Sequence, residues 1–216
     1  MKTGCRYSQL LLLATAFFVS GCQQSGENPS SSQKIPSSAL KENGTNLMLD
    51  KSPLDITYYP VDYPKLKMSG KNPGPLVSRV IYSRPSVDGR QIFGILLKYG
   101  SPWRLGANEA TEIEFFTSVS IQDKKIDPGR YVMYCKPYPD HWTIILNSDL
   151  FTWGLRIDST KDLYQFNIPV SKLSYSMPVF TMEFKNTSQG AGLLMGWDSI
   201  QAMLQLQPYL PTNSSR

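Results

Sequence analysis

Glu112 and Glu114 stand two residues apart in the alternating run Thr111–Phe116. On a strand, such residues project from one face with backbones about 6.6–6.8 Å apart. With side-chain freedom, that overlaps the carboxyl separations used by glycoside hydrolases. No neighbour in sequence would separate their titrations, and exposed acids are the ordinary case. The pair therefore reads first as the solvated face of a strand. A denser polar stretch is Trp103-Arg104-Leu105-Gly106-Ala107-Asn108-Glu109, with Arg84 and Arg90 in the connection before it. Guanidinium forks suit carboxylate or phosphate ligands, and an indole offers a stacking face for a sugar or a cation. Gly106 predicts a turn that faces Arg104 and Asn108 the same way, with Glu109 close enough to orient the guanidinium. Arg84, Arg90, Trp103, Arg104, Asn108 and Glu109 are thus the candidate ligand-binding residues. The competing reading is a structural clamp, in which Arg104 pairs with Glu109 or with loop carbonyls.

One histidine in 216 residues excludes a zinc site built on two or three imidazoles. His141 lies in Pro137-Tyr138-Pro139-Asp140-His141, which reads as a hairpin loop and not as half of a serine–histidine pair. No metal and no cofactor are expected. Basic and acidic residues are interleaved along the chain with no clustered basic stripe, which argues against nucleic acid.

The elements that must position these groups read as strands. Alternation or short apolar runs bounded by turn residues mark Val77–Ser83, Gln91–Tyr99, Thr111–Phe116, Arg130–Lys136 and Trp142–Leu146. Further strands are predicted at Gly154–Ile157, Leu163–Ile168, Val179–Lys185, Gly192–Trp197 and Ile200–Leu206. No segment sustains a 3.6-residue apolar period. The expected fold is all-β: a single-domain antiparallel β-sandwich, jelly-roll-like, over residues 47–207. Trp142, Trp153 and Trp197, with Phe93, Phe115, Phe180 and Phe184, are expected in its core. Ile56–Pro64 alternates poorly and carries Tyr58, Tyr59 and Tyr63, an aromatic edge suited to a partner or glycan.

Residues 1–21 carry Lys2 and Arg6 ahead of the apolar run Leu10–Val19. Ten residues are too few to cross a bilayer, which needs about twenty as a helix, and fit a secretory signal instead. Val19-Ser20-Gly21-Cys22 resembles the lipobox of bacterial lipoproteins, which implies a diacylglycerol on the Cys22 thiol, cleavage before it and acylation (palmitate) of the new amine. Loss of this signal removes Lys2, Arg6 and no acid, so the net charge falls from +5 to +3. Cys5 leaves with the signal and Cys22 is taken by lipid, which leaves Cys135 alone and no internal disulfide. Cys135 reads as a small buried hydrophobe. Residues 22–46 are Ser/Gln/Asn/Gly/Pro-rich and read as a flexible tether with a span of roughly 25–30 Å. Residues 208–216 read as a disordered tail.

Tyr82-Ser83-Arg84-Pro85…Gly89-Arg90…Ile92-Phe93-Gly94, then Tyr99-Gly100…Trp103 through Thr111, form a distinctive block. With Pro128-Gly129-Arg130-Tyr131, Trp142 through Asn147 and Trp153-Gly154, it closely resembles the bacterial domain of unknown function 2911 over about Ser52–Leu206. The resemblance implies an exported, often lipid-anchored β-rich domain and brings no activity, substrate or catalytic residue. Gln165, Pro178 and Met203 depart from the family pattern, so no site is built on them.

These readings converge on a lipoprotein held at a membrane of the bacterial cell envelope, periplasmic or surface-facing. Its domain is expected to be a ligand-binding or structural module, not an enzyme. The ligand would be an anionic small molecule or a glycan, or the partner another envelope protein. The alternatives are a carbohydrate-active hydrolase using Glu109, Glu112 or Glu114, and an assembly factor docking through a sheet edge.

Overall fold

The computed structural model describes residues 50–209. The signal, Cys22, the tether and residues 210–216 lie outside the described residues.

Strands form where alternation places apolar residues on one face. β1 (Leu54–Tyr59), β2 (Ser78–Ser83) and β3 (Glu112–Phe115) are followed by the short β4 (Val119–Ile121) and β5 (Lys124–Ile126). The longer β6 (Gly129–Pro137), β7 (His141–Asn147), β8 (Asp162–Thr187) and β9 (Gly190–Pro208) complete one antiparallel sheet, ordered β1-β2-β3-β6-β7-β8-β9-β4-β5. The all-β, antiparallel, single-domain expectation holds.

Two long strands turn this one sheet back on itself. β8 lies beside β7 as far as Pro169, and from Val170 onward it runs with β9. Register shifts at Lys172/Met177 and Met177/Thr181 mark where the β8–β9 pair bends. Its far half then meets the end of β2: the Phe180 amide donates to the Pro85 carbonyl at 2.9 Å, and the Tyr82 hydroxyl accepts from the Met182 amide at 2.9 Å. A single core fills the space between the halves, with Val80, Ile113, Met133 and Trp142 against Phe184, Leu193, Met195 and Leu204. Burial of aromatic and branched side chains at roughly 25 cal/mol per Å² supplies its stability, with no disulfide among the described residues. Cys135 is free and fully buried, and burial pushes its thiol well above the ordinary range.

Several expectations are corrected. Gln91–Tyr99 is a knot of turns, closed by Leu97 N to Ile92 O at 2.8 Å and Gly94 N to Leu97 O at 2.9 Å. Ile92 is buried there, and the next residue, Phe93, also packs on the core, so neighbours point inward together and the period of two is lost. Gly154–Ile157 belongs to the loop between β7 and β8, and Trp153 is 53% exposed, not core. A six-residue helix, α1 (Tyr63–Met68), follows β1 and buries no residue. Pro208 belongs to β9, where it pairs with Val119, and not to a tail.

Candidate functional site

The connection from β2 to β3 is long because it folds into the site. Its first part, residues 84–90, is held against the bent strand. Arg84 donates to Asp55 at 3.0 Å and to the Thr181 hydroxyl at 3.0 Å, and its Nε reaches the Phe180 carbonyl at 3.4 Å. Arg84 therefore acts as a clamp between β1, β2 and β8. Arg90 is exposed, and its Nε donates to the Val87 carbonyl at 3.0 Å, with Nη2 on the Ser86 carbonyl.

The second part runs beside β6. Trp103 exchanges backbone hydrogen bonds with Cys135 at 2.7 and 2.8 Å, which inserts its side chain into the core at 5% exposure. There it stacks on Trp197 at 5.7 Å and meets Trp142 edge-on at 5.6 Å. Trp103 is thus a packing residue first, with its Nε1 donating to the Gly106 carbonyl at 3.3 Å. A Cβ on Gly106 would sit 3.0 Å from the Ser83 carbonyl, so a larger residue would have to push that backbone aside.

Arg104 departs from the expected pairing. No carboxylate lies within 4.0 Å of it among the described residues; its Nη1 donates to the Trp153 carbonyl at 2.9 Å, and Nε and Nη2 have no partner there. Partial burial lowers its pKa by disfavouring the charged form, and the Glu109 carboxylate opposes that shift from a distance. Glu109 itself is exposed. Asn108 does not share the cleft with Arg104: its side chain donates to Asp50 at 2.8 Å and ties the connection to the start of the domain.

Arg90, Trp103 and Arg104 meet at a cleft of about 370 Å³. Leu96 and Leu97 of the turn knot, Leu155 of the β7–β8 loop and Trp197 of β9 complete its apolar walls. No carboxylate lines it. Trp197 also carries a buried indole N–H with no partner among the described residues. The β7–β8 loop is fixed to the cleft by Ala110 N to Thr152 O at 3.1 Å and by the Arg104–Trp153 bond. Gly154 permits this approach: at φ +72° a Cβ would sit 3.0 Å from the Arg104 Cβ. Of the six candidate residues, the fold brings Arg90, Trp103 and Arg104 together and sends Arg84, Asn108 and Glu109 elsewhere. Sequence reasoning missed Leu96, Leu155 and Trp197 as cleft walls, because nothing local marks an apolar residue as lining a cleft.

Glu112 and Glu114 share a face as expected, but it is not a freely solvated one. Register aligns Arg79, Glu114 and Arg130 across β2, β3 and β6. Arg79 grips Glu114 at 2.7 Å, and Arg130 lies 3.9 Å from Glu114 and 3.6 Å from Glu112. His141 stacks on Tyr138 at 4.6 Å and meets Asp140 at 2.8 Å, a loop-end arrangement. Among the described residues, no group of three His, Cys, Asp or Glu side chains is placed to hold a metal ion.

The family model described as "Protein of unknown function (DUF2911)" matches residues 64–206, well over half of the chain. No curated protein and no solved structure matches.

Proposed function

The chain belongs to the DUF2911 family of proteins of unknown function, and from that premise we propose that it is a lipid-anchored bacterial envelope protein whose β-domain binds an anionic small molecule in the Arg90–Arg104 cleft. One observation carries the reading. Both guanidiniums are positioned by carbonyl oxygens, and no carboxylate lies within ion-pair distance of either among the described residues. A carbonyl fixes a guanidinium without neutralising it, so its charge and spare donors stay available to a ligand. Burial that disfavours the Arg104 cation is relieved when an anion enters.

Hydrolysis is less well supported. Glu112 and Glu114 are each engaged by arginine, and no carboxylate lines the cleft. The anchoring half of the proposal rests on Val19-Ser20-Gly21-Cys22 and the tether after it. Two or more acyl chains hold a protein on a membrane, whereas one is marginal.

Thermal shift and calorimetry with inorganic phosphate, citrate and a uronic acid test the ligand class. Binding of at least one, lost in Arg104→Ala and absent for neutral sugars, is the expected result. Indifference to all three anions overturns the reading. For the anchor, Cys22→Ala is expected to leave the membrane fraction in high salt; retention there means the lipid is not the anchor.

A further inference from the structure

Resting on the anion-binding reading of the cleft, we infer that the rim of the cleft is a membrane-docking surface, with Arg90 and Arg104 taking the phosphate of an anionic lipid headgroup. Six of the thirteen large apolar side chains exposed among the described residues sit on the two loops that border this cleft. Ile95, Leu96 and Tyr99 are 65%, 44% and 45% exposed on one, and Phe151, Trp153 and Leu155 are 81%, 53% and 73% exposed on the other. Leu96 and Leu155 line the opening itself, and Ile95, Tyr99 and Trp153 neighbour them along the same two loops, while Phe151 lies beside Arg130 toward the sheet face.

Their exposure is imposed by ordered backbone. The turn knot closes through Leu97 N to Ile92 O at 2.8 Å, and the second loop is pinned by Thr152 and Trp153 to Ala110 and Arg104. Side chains held outward in this way incur little further ordering entropy when they enter an apolar phase.

The charge pattern selects the occupant. Over the two connections, residues 84–111 and 148–161, the cations are Arg84, Arg90, Lys98, Arg104, Arg156 and Lys161 against the acids Asp88, Glu109, Asp149 and Asp158; Arg84 and Lys161 are paired with Asp55 and Asp149. An indole and a phenol beside aliphatic side chains and basic groups match the layering of a bilayer surface: acyl chains, aromatic belt, then phosphate. With Cys22 lipidated as proposed, a tether of the composition of residues 22–46, expected to span roughly 25–30 Å, would make the encounter intramolecular, so that an affinity in the millimolar range would suffice. Lipid attachment holds the protein at the membrane, and the rim turns the cleft toward it.

The test uses the chain from residue 22 onward with Cys22→Ala, so that no acyl chain contributes. Sedimentation is measured with vesicles of phosphatidylcholine alone and with phosphatidylglycerol added, and soluble glycerol phosphate is titrated in parallel. Binding to the anionic vesicles at low salt and release at high salt are expected. Trp103, Trp142 and Trp197 are at most 5% exposed, so a blue shift in emission and quenching by brominated acyl chains report Trp153 and vanish in Trp153→Phe. Arg104→Ala should weaken vesicle binding about fivefold, the effect of one cation near an anionic surface. Leu155→Asp should weaken it on the order of tenfold or more, from lost burial of a leucine side chain. Glycerol phosphate binding without vesicle binding overturns the docking surface and leaves the anion-binding reading standing. Failure of both removes the two together. Equal binding to neutral vesicles overturns the headgroup assignment, and vesicle binding indifferent to Leu155→Asp overturns the rim.

Discussion

Arginine is used in two ways in this domain, on the outer face of β2–β3–β6 and at the cleft. On the sheet, Arg79 and Arg130 share Glu114, and Arg130 also reaches Glu112, so charges alternate in a ladder across three strands. Their guanidiniums lie over the Phe116 and Phe151 rings at 5.7 Å. At the cleft, Arg90 and Arg104 donate only to carbonyl oxygens among the described residues. The partner decides the use. A carboxylate holds the cation and cancels its field, whereas a carbonyl holds it and leaves the field outside.

The largest expected effect breaks both regions' common support. Trp103 links the cleft wall to the aromatic cluster, so Trp103→Ala should cost about 3–5 kcal/mol and lower the melting temperature by roughly 6–20 °C. Anion binding should be lost with it. A melting shift of only a degree or two would mean that the cluster is not the keystone of the core.

Glu114→Ala separates the regions. It leaves Arg79 and Arg130 short of a half-buried partner, at about 1–3 kcal/mol, with the lower end favoured because solvent and salt screen the pair. Calorimetry should show anion affinity unchanged, and a parallel loss of binding would show that ladder and cleft are one electrostatic unit. Arg104→Ala should do the reverse, abolishing anion binding while melting shifts by less than about 4 °C, the worth of roughly one kcal/mol in a domain this size. A melting shift well beyond about 4 °C would make Arg104 a clamp like Arg84.

Alkaline pH probes the seam that Arg84 closes. Burial, partly offset by the hydrogen bond from Met182, pushes the Tyr82 hydroxyl up to about 12. The unfolded chain ionises this phenol near 10, so its contribution is complete below pH 10 and is lost as pH rises toward 12. Tyr134 is raised in the same sense by burial and by Asp162. Tyr82→Phe should flatten the fall of melting temperature over that window, and an unchanged slope would assign it to other groups. The smallest effect is at Cys135, behind the cleft wall, where thiol reagents should react only on unfolding. Prompt reaction of the folded chain would show that the core beneath Trp103 opens readily.

The strands carrying both regions were legible where alternation and turn residues agreed, as in Val77–Ser83, Thr111–Phe116, Arg130–Lys136 and Trp142–Leu146. β4 and β5 escaped because each has three residues and their turn, Gln122-Asp123, takes positive φ at both positions without glycine. β1 was hidden by a proline at each end of a run of mixed polarity. Gln91–Tyr99 and Gly154–Ile157 mimicked strands because exposed apolar rim residues look like core residues to any local pattern. The polar stretch from Trp103 to Glu109 is legible, but the glycine turn expected to face Arg104 and Asn108 the same way does not show that one reaches Trp153 and the other Asp50.

What the sequence determined by itself was local: the antiparallel β character, the single histidine, the face shared by Glu112 and Glu114, and an arginine-rich connection between strands. Each follows from residue type or from spacing within a few positions. Which arginines meet a carboxylate was decided by the tertiary structure. Arg79 meets Glu114 across 35 positions, and Arg104 meets the Trp153 carbonyl across 49. Strand register places a carboxylate opposite the first, and loop packing places only a carbonyl beside the second. Neither pairing is encoded near the arginine it governs, because coulombic partners are chosen by distance in space and not by distance along the chain.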